Sequence, residues 1–575
     1  MRLEETLETL VREAIQQVLG ADIPALVRPA NADHGDYQVN AVLPLAKQRQ
    51  VAPRSLAEPL AKRLAESPVF ESVEVAGPGF INLKLAPAWV ANELRTAALD
   101  GERDAVPPVA KPERIVVDFS GPNIAKQMHV GHLRSTIIGD AICRLLRCIG
   151  HDVIGDNHIG DWGTQFGLLI VGMREFGVAD ALDAHPVDEL ERVYRLASAK
   201  AKEDTAFADA ARAELAKLQQ GDPENRAQWE RFVAATRVEL DKIYTRFGTH
   251  FDVWLGESAY ENMLPGVLAD LIARGIARED QGAIVVFFED EALNTTPMIV
   301  RKKDGAYLYA STDIATVLYR RDHFHADRAI VLTDARQVLH FKQVFEVARL
   351  LGVQMQFSHI TFGTVLGNDG KALKTRDGGV IKLSELLDEA ETRASERMLR
   401  ARAENELTLD DAAIAALAPI VGIGAVKYAD LMQNRASNYQ FDWDKMISFK
   451  GNAGPYLQYA HARIAAIFRK GEVDLAALTV PETLALDHAA ERALAKHLLR
   501  FGDVVHTAAE QSLPHILCEH LYGVARAFSV FYEACPILRA DTAEQHDTRL
   551  VLAWVAARQL RRGLALLGIE APSRM

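Results

Sequence analysis

At 575 residues, with 49% hydrophobic and 25% charged residues and a formal net charge of −13, the chain reads as globular protein of roughly three to five folding units. That composition excludes a largely disordered chain, and the excess of acid excludes a protein that coats nucleic acid indiscriminately, which needs a basic surface. The four cysteines, Cys143, Cys148, Cys518 and Cys535, form no CxxC pair and have no His partners at zinc spacing, so neither disulfides nor zinc is expected, and a reducing, cytoplasmic location is.

At the start of the chain, Leu3, Leu7, Leu10, Val11 and Ile15 recur among Glu4, Glu5 and Glu8, which predicts an amphipathic helix rather than an export signal. In residues 69–85, Val73, Val75, Phe80 and Leu83 predict two strands turned by Gly77-Pro78-Gly79. Residues 1–110 therefore read as an α/β module, closed by a proline-rich linker at Val106-Pro107-Pro108 to Lys111-Pro112.

From Ile115 the pattern changes to parallel α/β. A short apolar strand at 115–119, a helix at 133–146 and a strand at Val153-Ile154 make one βαβ unit; a strand at 329–333, a helix at 341–351 and a strand at 357–366 supply a second half. The expected fold is a Rossmann-type, doubly wound parallel sheet over 111–385, with a mostly helical insertion at about 170–295 whose charge runs read as solvated faces. Beyond Lys382 the chain reads as helical, with a connecting region at 386–450 and a bundle at 451–575. The uncharged stretch 412–426 is shorter than the ~20 residues of a bilayer span and holds Pro419, Gly422 and Gly424, so it is expected to be a buried helix, and no membrane is expected.

The most specific run is Ser120-Gly121-Pro122-Asn123-Ile124-Ala125-Lys126-Gln127-Met128-His129-Val130-Gly131-His132, between the first parallel strand and its helix. In such a sheet, ligands bind beyond the carboxyl ends of the strands, where helix N-termini present free N–H groups to phosphate. There His129 and His132 could donate to ATP, and Gly131 lets the nucleotide lie close to the backbone. Two histidines near a turn are otherwise capping or surface residues.

The whole run resembles the His-x-Gly-His signature of class I aminoacyl-tRNA synthetases, in the form of the arginine branch. Gly160-Asp161-Trp162-Gly163-Thr164-Gln165-Phe166-Gly167 also resembles that branch. Lys371-Ala372-Leu373-Lys374-Thr375 matches the second class signature, Lys-Met-Ser-Lys-Ser, with three departures; its two lysines keep the spacing for β- and γ-phosphates, and Gly367, Gly370, Gly378 and Gly379 would permit loop closure. Lys126 is similar to the lysine thought to compensate for a degenerate loop in this branch.

The resemblance implies that Tyr309, Asp313 and Gln337 hold the guanidinium of L-arginine, and Asp118 and Asn123 its α-amino end. Without that context, Asp313 reads as a helix cap and Tyr309 as a core residue. It further implies that Tyr456, Tyr459, Tyr532 and Met575 lie near the anticodon loop, with Arg558, Arg561 and Arg562 supplying positive charge, and that Asn40 and Phe80 of the amino-terminal module touch the tRNA corner. The implied partners are tRNA for arginine, arginine and ATP with substrate-bound Mg2+, with no dedicated protein metal site and a monomeric enzyme. Two rival readings are a small nucleotidyl transferase, which would lack the helical tail, and a tRNA-binding regulator, which would not need both histidines and both loop lysines.

Overall fold

The amino-terminal helix Leu3–Leu19 buries Leu3, Leu7, Val11 and Ile15, the stripe that its sequence spacing demands. It covers an antiparallel sheet of β1 (Val27–Pro29), β2 (Tyr37–Val39), β3 (Phe70–Ala76) and β4 (Phe80–Leu85), in the order β1-β2-β4-β3. The hairpin β3–β4 falls where the Gly-Pro-Gly turn predicts it. Strands β1 and β2 escape the sequence reading because each has three residues and β1 ends in Pro29, too short for an alternating pattern.

This computed structural model describes every residue except 1, 31–33, 368, 375–380, 406 and 476, so Thr375, Gly378 and Gly379 of the catalytic-loop reading lie outside the described residues. Contacts divide the chain into two units: Met1–Val109 with Leu407–Leu409 and Ser448–Met575, and Ala110–Glu406 with Asp410–Ile447.

In the first unit, the two ends of the chain share one core. The Glu4 N–H donates to Asp503 at 2.9 Å, and Lys496 donates to both Asp36 oxygens at 2.7 and 2.8 Å. Arg558 pairs with Asp104 at 2.7 Å and donates to the carbonyls of Ala98 and Asp100. Arg558 is therefore buried and committed, which corrects the expectation that it supplies charge to RNA. The last residues are tied along the helix Gly454–Lys470: Gln458 donates to Glu570 O, His461 contacts Pro572 O at 2.9 Å, and Arg469 donates to Ser573 O.

The second unit is built on β5 (Arg114–Asp118) and β6 (Asp152–Asp156), then an insertion containing β7 (Ala277–Asp280), β8 (Ala283–Val286) and β9 (Met298–Arg301), then β10 (Arg328–Asp334) and β11 (Gln356–Phe362). The main sheet is parallel throughout, in the order β11-β10-β5-β6. The chain leaves β5 for β6 on one side and later for β10 on the other, so a crevice opens between the carboxyl ends of β5 and β10. The insertion is mostly helical, with Phe166, Ile170, Leu190, Trp229 and Phe232 as its core, but it also carries the antiparallel sheet β7-β8-β9. That sheet is hidden from sequence reading because β7 is Ala-Arg-Glu-Asp, exposed at its last three positions.

Two short strands, β12 (Val365–Leu366) and β13 (Tyr439–Gln440), pair in parallel beyond the main sheet. The helix Asp411–Leu431 is long and apolar enough to cross a membrane, yet it buries Val421, Ile423, Val426 and Leu431 and packs along the helix Leu383–Ala403, with Pro419 inside it.

Candidate active site

The signature run crosses from β5 to the helix Val130–Cys148 through a strained backbone: Ser120 and Ala125 both take positive φ, 71° and 63°. L-residues hold such angles only where neighbours over-determine them. Here the Ser120 N–H donates to Ser135 Oγ at 2.9 Å, and its hydroxyl meets Thr136 Oγ1 at 2.9 Å and the Tyr244 hydroxyl at 2.7 Å. Tyr244 belongs to the insertion helix Pro223–Phe247, so that helix braces the loop.

His129 is the N-cap of the helix, and the two histidines form a reciprocal capping box. The Gly131 N–H donates to His129 Nδ1 at 3.0 Å, and the His129 N–H donates to His132 Nδ1 at 3.2 Å, with the rings 4.1 Å apart. An imidazole whose Nδ1 accepts must, when neutral, carry its proton on Nε2. Both rings are kept neutral: burial pulls His129 below its ordinary value and, with His129 beside it, pulls His132 down to about 4. Each therefore presents an Nε2–H donor at a helix N-terminus. A Cβ at Gly131 would lie 2.7 Å from His129 Cε1, so the ring's position depends on glycine there.

These groups face a cleft of about 660 Å3 walled by His129, Gly131, Asp334, Arg336, Thr364 and Lys374. Lys374 reaches it because residues 371–373 fold back on β12: Leu366 bridges Ala372, and the Leu373 N–H donates to Val365 O at 3.0 Å. Lys371 and Lys126 are exposed and do not wall the cleft; the Lys126 ammonium lies 5.5 Å from the Tyr194 ring centroid. Arg134, one helical turn after Val130, is buried and was missed by sequence reading. It meets Asp430 at 3.0 Å, donates to Gly363 O and Ser437 O, and so fixes the histidine helix to the β12–β13 edge.

A second group of polar residues gathers around Asp118 and Asp313. Arg320, fully buried, donates to Asp118 at 2.7 Å and Asp156 at 2.8 Å. Ligand atoms of Asp118, Asp156 and His158 lie within 4.8 Å of one another, a spacing suited to a cation, and the Arg320 guanidinium is that cation. The second oxygen of Asp118 accepts no side-chain hydrogen bond among the described residues. Asn123 is exposed, and its backbone bridges Gly160; a side chain at Gly160 would run into Asn123 Oδ1.

Tyr309 opens the helix Tyr309–Asp322 and is 71% exposed, so it is no core residue. Asp313 lies inside that helix, whose N-cap is Leu308, so it is no cap; its Oδ2 meets His340 Nε2 at 2.5 Å. Gln337 is exposed at the end of a 3-10 turn leading to the helix Val338–Leu350. Glu257, on the 3-10 helix Glu257–Met263, was missed by sequence reading, because no motif marks it. Burial raises its carboxyl to about 7, with the charges of Asp313 and Asp161 adding to the rise. Asp313 and Glu257 are thus two half-buried carboxylates close enough for the charge of one to act on the other, a setting that suits a guanidinium.

In the first unit, Tyr456 and Tyr459 are half-buried on the helix Gly454–Lys470, Tyr456 with its ring 5.8 Å from that of Tyr522. Tyr532 is 37% exposed, with the Arg463 guanidinium 4.9 Å from its ring, an exposed aromatic and cation of the kind that stacks unpaired bases. Met575 is half-buried, just past the tail contacts. Asn40 follows β2 and Phe80 opens β4.

Three family models match: "tRNA synthetases class I (R), catalytic domain" over 96–443, "DALR anticodon binding domain" over 457–575 and "Arginyl tRNA synthetase N terminal domain" over 5–85. Among curated proteins, the arginine–tRNA ligase of Sodalis glossinidius is 46% identical over 99% of this chain and 100% of its own length; that of Alteromonas mediterranea is 44% identical over 100% of both. Among solved structures, the arginyl-tRNA synthetase of Plasmodium falciparum superposes with a TM-score of 0.85 at 28% identity, covering 100% of this chain and 99% of that one. The Thermus thermophilus enzyme gives 0.81 at 26%, covering 100% of both.

Proposed function

The chain belongs to the arginyl-tRNA synthetase family and joins arginine to tRNA with ATP, and from that premise we propose how its residues divide the reaction. The observation that carries the reading is the pair of neutral histidines, each with Nδ1 occupied by a backbone N–H, at the N-terminus of the helix behind the crevice.

ATP lies in the cleft with its phosphates toward Nε2 of His129 and His132, Gly131 under them and Lys374 over the β- and γ-phosphates. The arginine carboxylate attacks the α-phosphorus, the bond to the β-phosphate breaks, and pyrophosphate leaves. Charge gathering on the equatorial oxygens meets donors already in place. Lys371 and Lys126 assist from outside the cleft wall. Mg2+ arrives on the phosphates, since among the described residues Asp334 is the only carboxylate walling the cleft. In the second step, the terminal adenosine ribose hydroxyl of tRNA attacks the adenylate carbonyl and AMP departs.

Arginine lies with its guanidinium against Asp313 and Glu257, flanked by Tyr309 and Gln337, and with its α-amino group at Asp118 and Asn123. Arg320 and Asp156 hold Asp118 in place. Tyr456, Tyr459, Tyr532 and Met575 meet the anticodon loop, and Asn40 and Phe80 meet the tRNA corner. The enzyme acts as a cytoplasmic monomer without zinc, and its four free cysteines, all buried, suit a reducing compartment. We divide the chain into an amino-terminal module at 1–110, a catalytic domain at 111–385, a connecting region at 386–450 and a helical bundle at 451–575.

Exchange of labelled pyrophosphate into ATP, run with each amino acid and with or without tRNA, tests the assignment. Exchange is expected with arginine alone, and only with tRNA added; exchange with another amino acid would mean that the guanidinium site is misassigned.

The Glu257 carboxyl also sets a pH dependence. Its folded value, about 7, lies above the ordinary one, so below that pH arginine must displace a proton to bind. The KM for arginine should therefore fall as pH rises, by up to about tenfold per unit below pH 7, and level off above it. Glu257→Gln should flatten that profile. A parent enzyme with a flat profile from pH 5.5 to 7 would remove Glu257 from the site.

A further inference from the structure

A groove of about 570 Å3 runs through the first unit, between the carboxyl end of β4 and the helix Ala489–Leu499. Among the described residues its walls carry Lys84, Arg492, Lys496 and Arg500, with Asp36 as the one acid. Asp36 is already committed, to Lys496 and to the Leu85 N–H at 2.8 Å. Among the described residues Arg492 has only the carbonyls of Leu486 and Asp487 as partners, and Lys84 is paired at the surface with Glu71 at 3.0 Å.

Arg500 stands apart. Among the described residues it has no side-chain hydrogen bond and no ion pair, and its Nε is buried without a partner. Beside it the Tyr37 hydroxyl, on a residue only 3% exposed, is also unpartnered. A half-buried guanidinium and a buried phenol, both unsatisfied, cost stability unless a ligand supplies acceptors. In a chain of net charge −13, the described walls carry four cations and one carboxylate that is already paired; the charges of Glu4 and Asp503 also reach Tyr37 but do not line the groove, so the ligand these walls suit is an anion.

The groove is continuous with a polar sheet face. Ile81, Leu83 and Leu85 are buried on one side of β4, while Phe80, Asn82 and Lys84 share the other, where Gln38 of β2 donates to Asn82 at 2.8 Å. Lys84 therefore belongs both to the face that bears Phe80 and to the wall of the groove. Amide groups and an aromatic ring suit a splayed base, and cations one strand-length away suit the phosphates that follow it.

We infer that this groove grips phosphodiesters of the bound tRNA, with Arg500 and Lys84 each taking a backbone phosphate next to the nucleotide on the Phe80 face. The inference rests on the reading that the amino-terminal module touches tRNA, and its test separates the two. Binding of arginine tRNA by the full-length enzyme is measured from about 50 to 300 mM salt for the parent, Arg500→Gln, Lys84→Gln and Phe80→Ala. Each cation lost should weaken binding about 3- to 10-fold and flatten the plot of log K against log salt by about 0.7 to 0.9. Lys84→Gln, at an exposed site, covers the case in which Arg500→Gln disturbs packing.

If Phe80→Ala weakens binding while both cation variants keep the parent slope, the module touches tRNA but the groove holds no phosphate, and the inference falls. If all three match the parent, the reading beneath it falls as well. Calorimetry with inorganic phosphate separates the remaining source: uptake by the parent but not by Arg500→Gln, with tRNA slopes unchanged, would make this a small-anion site and overturn the RNA assignment.

Discussion

Asp313→Asn should raise the KM for arginine by a factor of about 30 to several thousand, the equivalent of about 2 to 5 kcal/mol, because a cation loses its charged partner in a half-buried site. Asparagine keeps nearly the same shape and can still accept a hydrogen bond from His340, which Asp313 Oδ2 meets at 2.5 Å, so the helix Tyr309–Asp322 and its neighbour should stay in place. The effect should therefore appear in the arginine KM and not in the melting temperature. On the proposal that Glu257 shares the guanidinium, Asp313→Asn combined with Glu257→Gln should cost more than either alone, though less than their sum if the two carboxylates act on one cation. An arginine KM left at the parent value in Asp313→Asn would end the assignment.

The second large effect is expected at His132. Replacement by glutamine should lower the rate of tRNA-dependent pyrophosphate exchange about 100- to 1,000-fold, mainly in kcat, since the lost donor acts where charge develops in the transition state. Glutamine is the informative choice because it is a natural partner at the third position of a helix, where it can still accept the His129 N–H that His132 Nδ1 accepts at 3.2 Å. A loss that came from capping alone would amount to about 1 kcal/mol of helix stability and would show in thermal unfolding. A fall in kcat below tenfold would mean that the Nε2–H is not aimed at the reacting phosphate. The low titration point of His132, about 4, further implies that this donor stays neutral throughout the range in which Glu257 titrates, so the two pH effects should not overlap.

What the sequence discloses of this site follows from how locally each part is encoded. The parallel strands announce themselves as short apolar runs because both faces of β5 are covered, and the histidine pair, cap and helix start lie within four consecutive positions. Tyr309 and Asp313 are one helical turn apart and enter through a motif. Arg320 does not, because it acquires its role only by meeting Asp118 and Asp156 from 202 and 164 positions away. Arg134 is likewise read as one more residue of an apolar helix until Asp430, 296 positions on, is folded against it. Glu257 carries no pattern at all; only burial, with the charges of Asp313 and Asp161 in reach, makes it distinctive. Arg558 shows the converse error: a cluster of arginines on a helix looks like a surface for RNA, and one of them proves to be an internal tie to Asp104.

The sharing of one core by the two ends of the chain bears on how the protein is made. The backbone of Glu4 meets Asp503 across 499 positions, and Arg558 meets Asp104 across 454. At about 5 to 20 residues per second, a ribosome delivers the second partner of the first pair roughly 25 to 100 s after the first has emerged. Throughout that interval the nascent amino-terminal sheet has its own helices but not the surface that completes it, so a chain stalled or truncated before about residue 500 presents an unfinished face to chaperones and proteases.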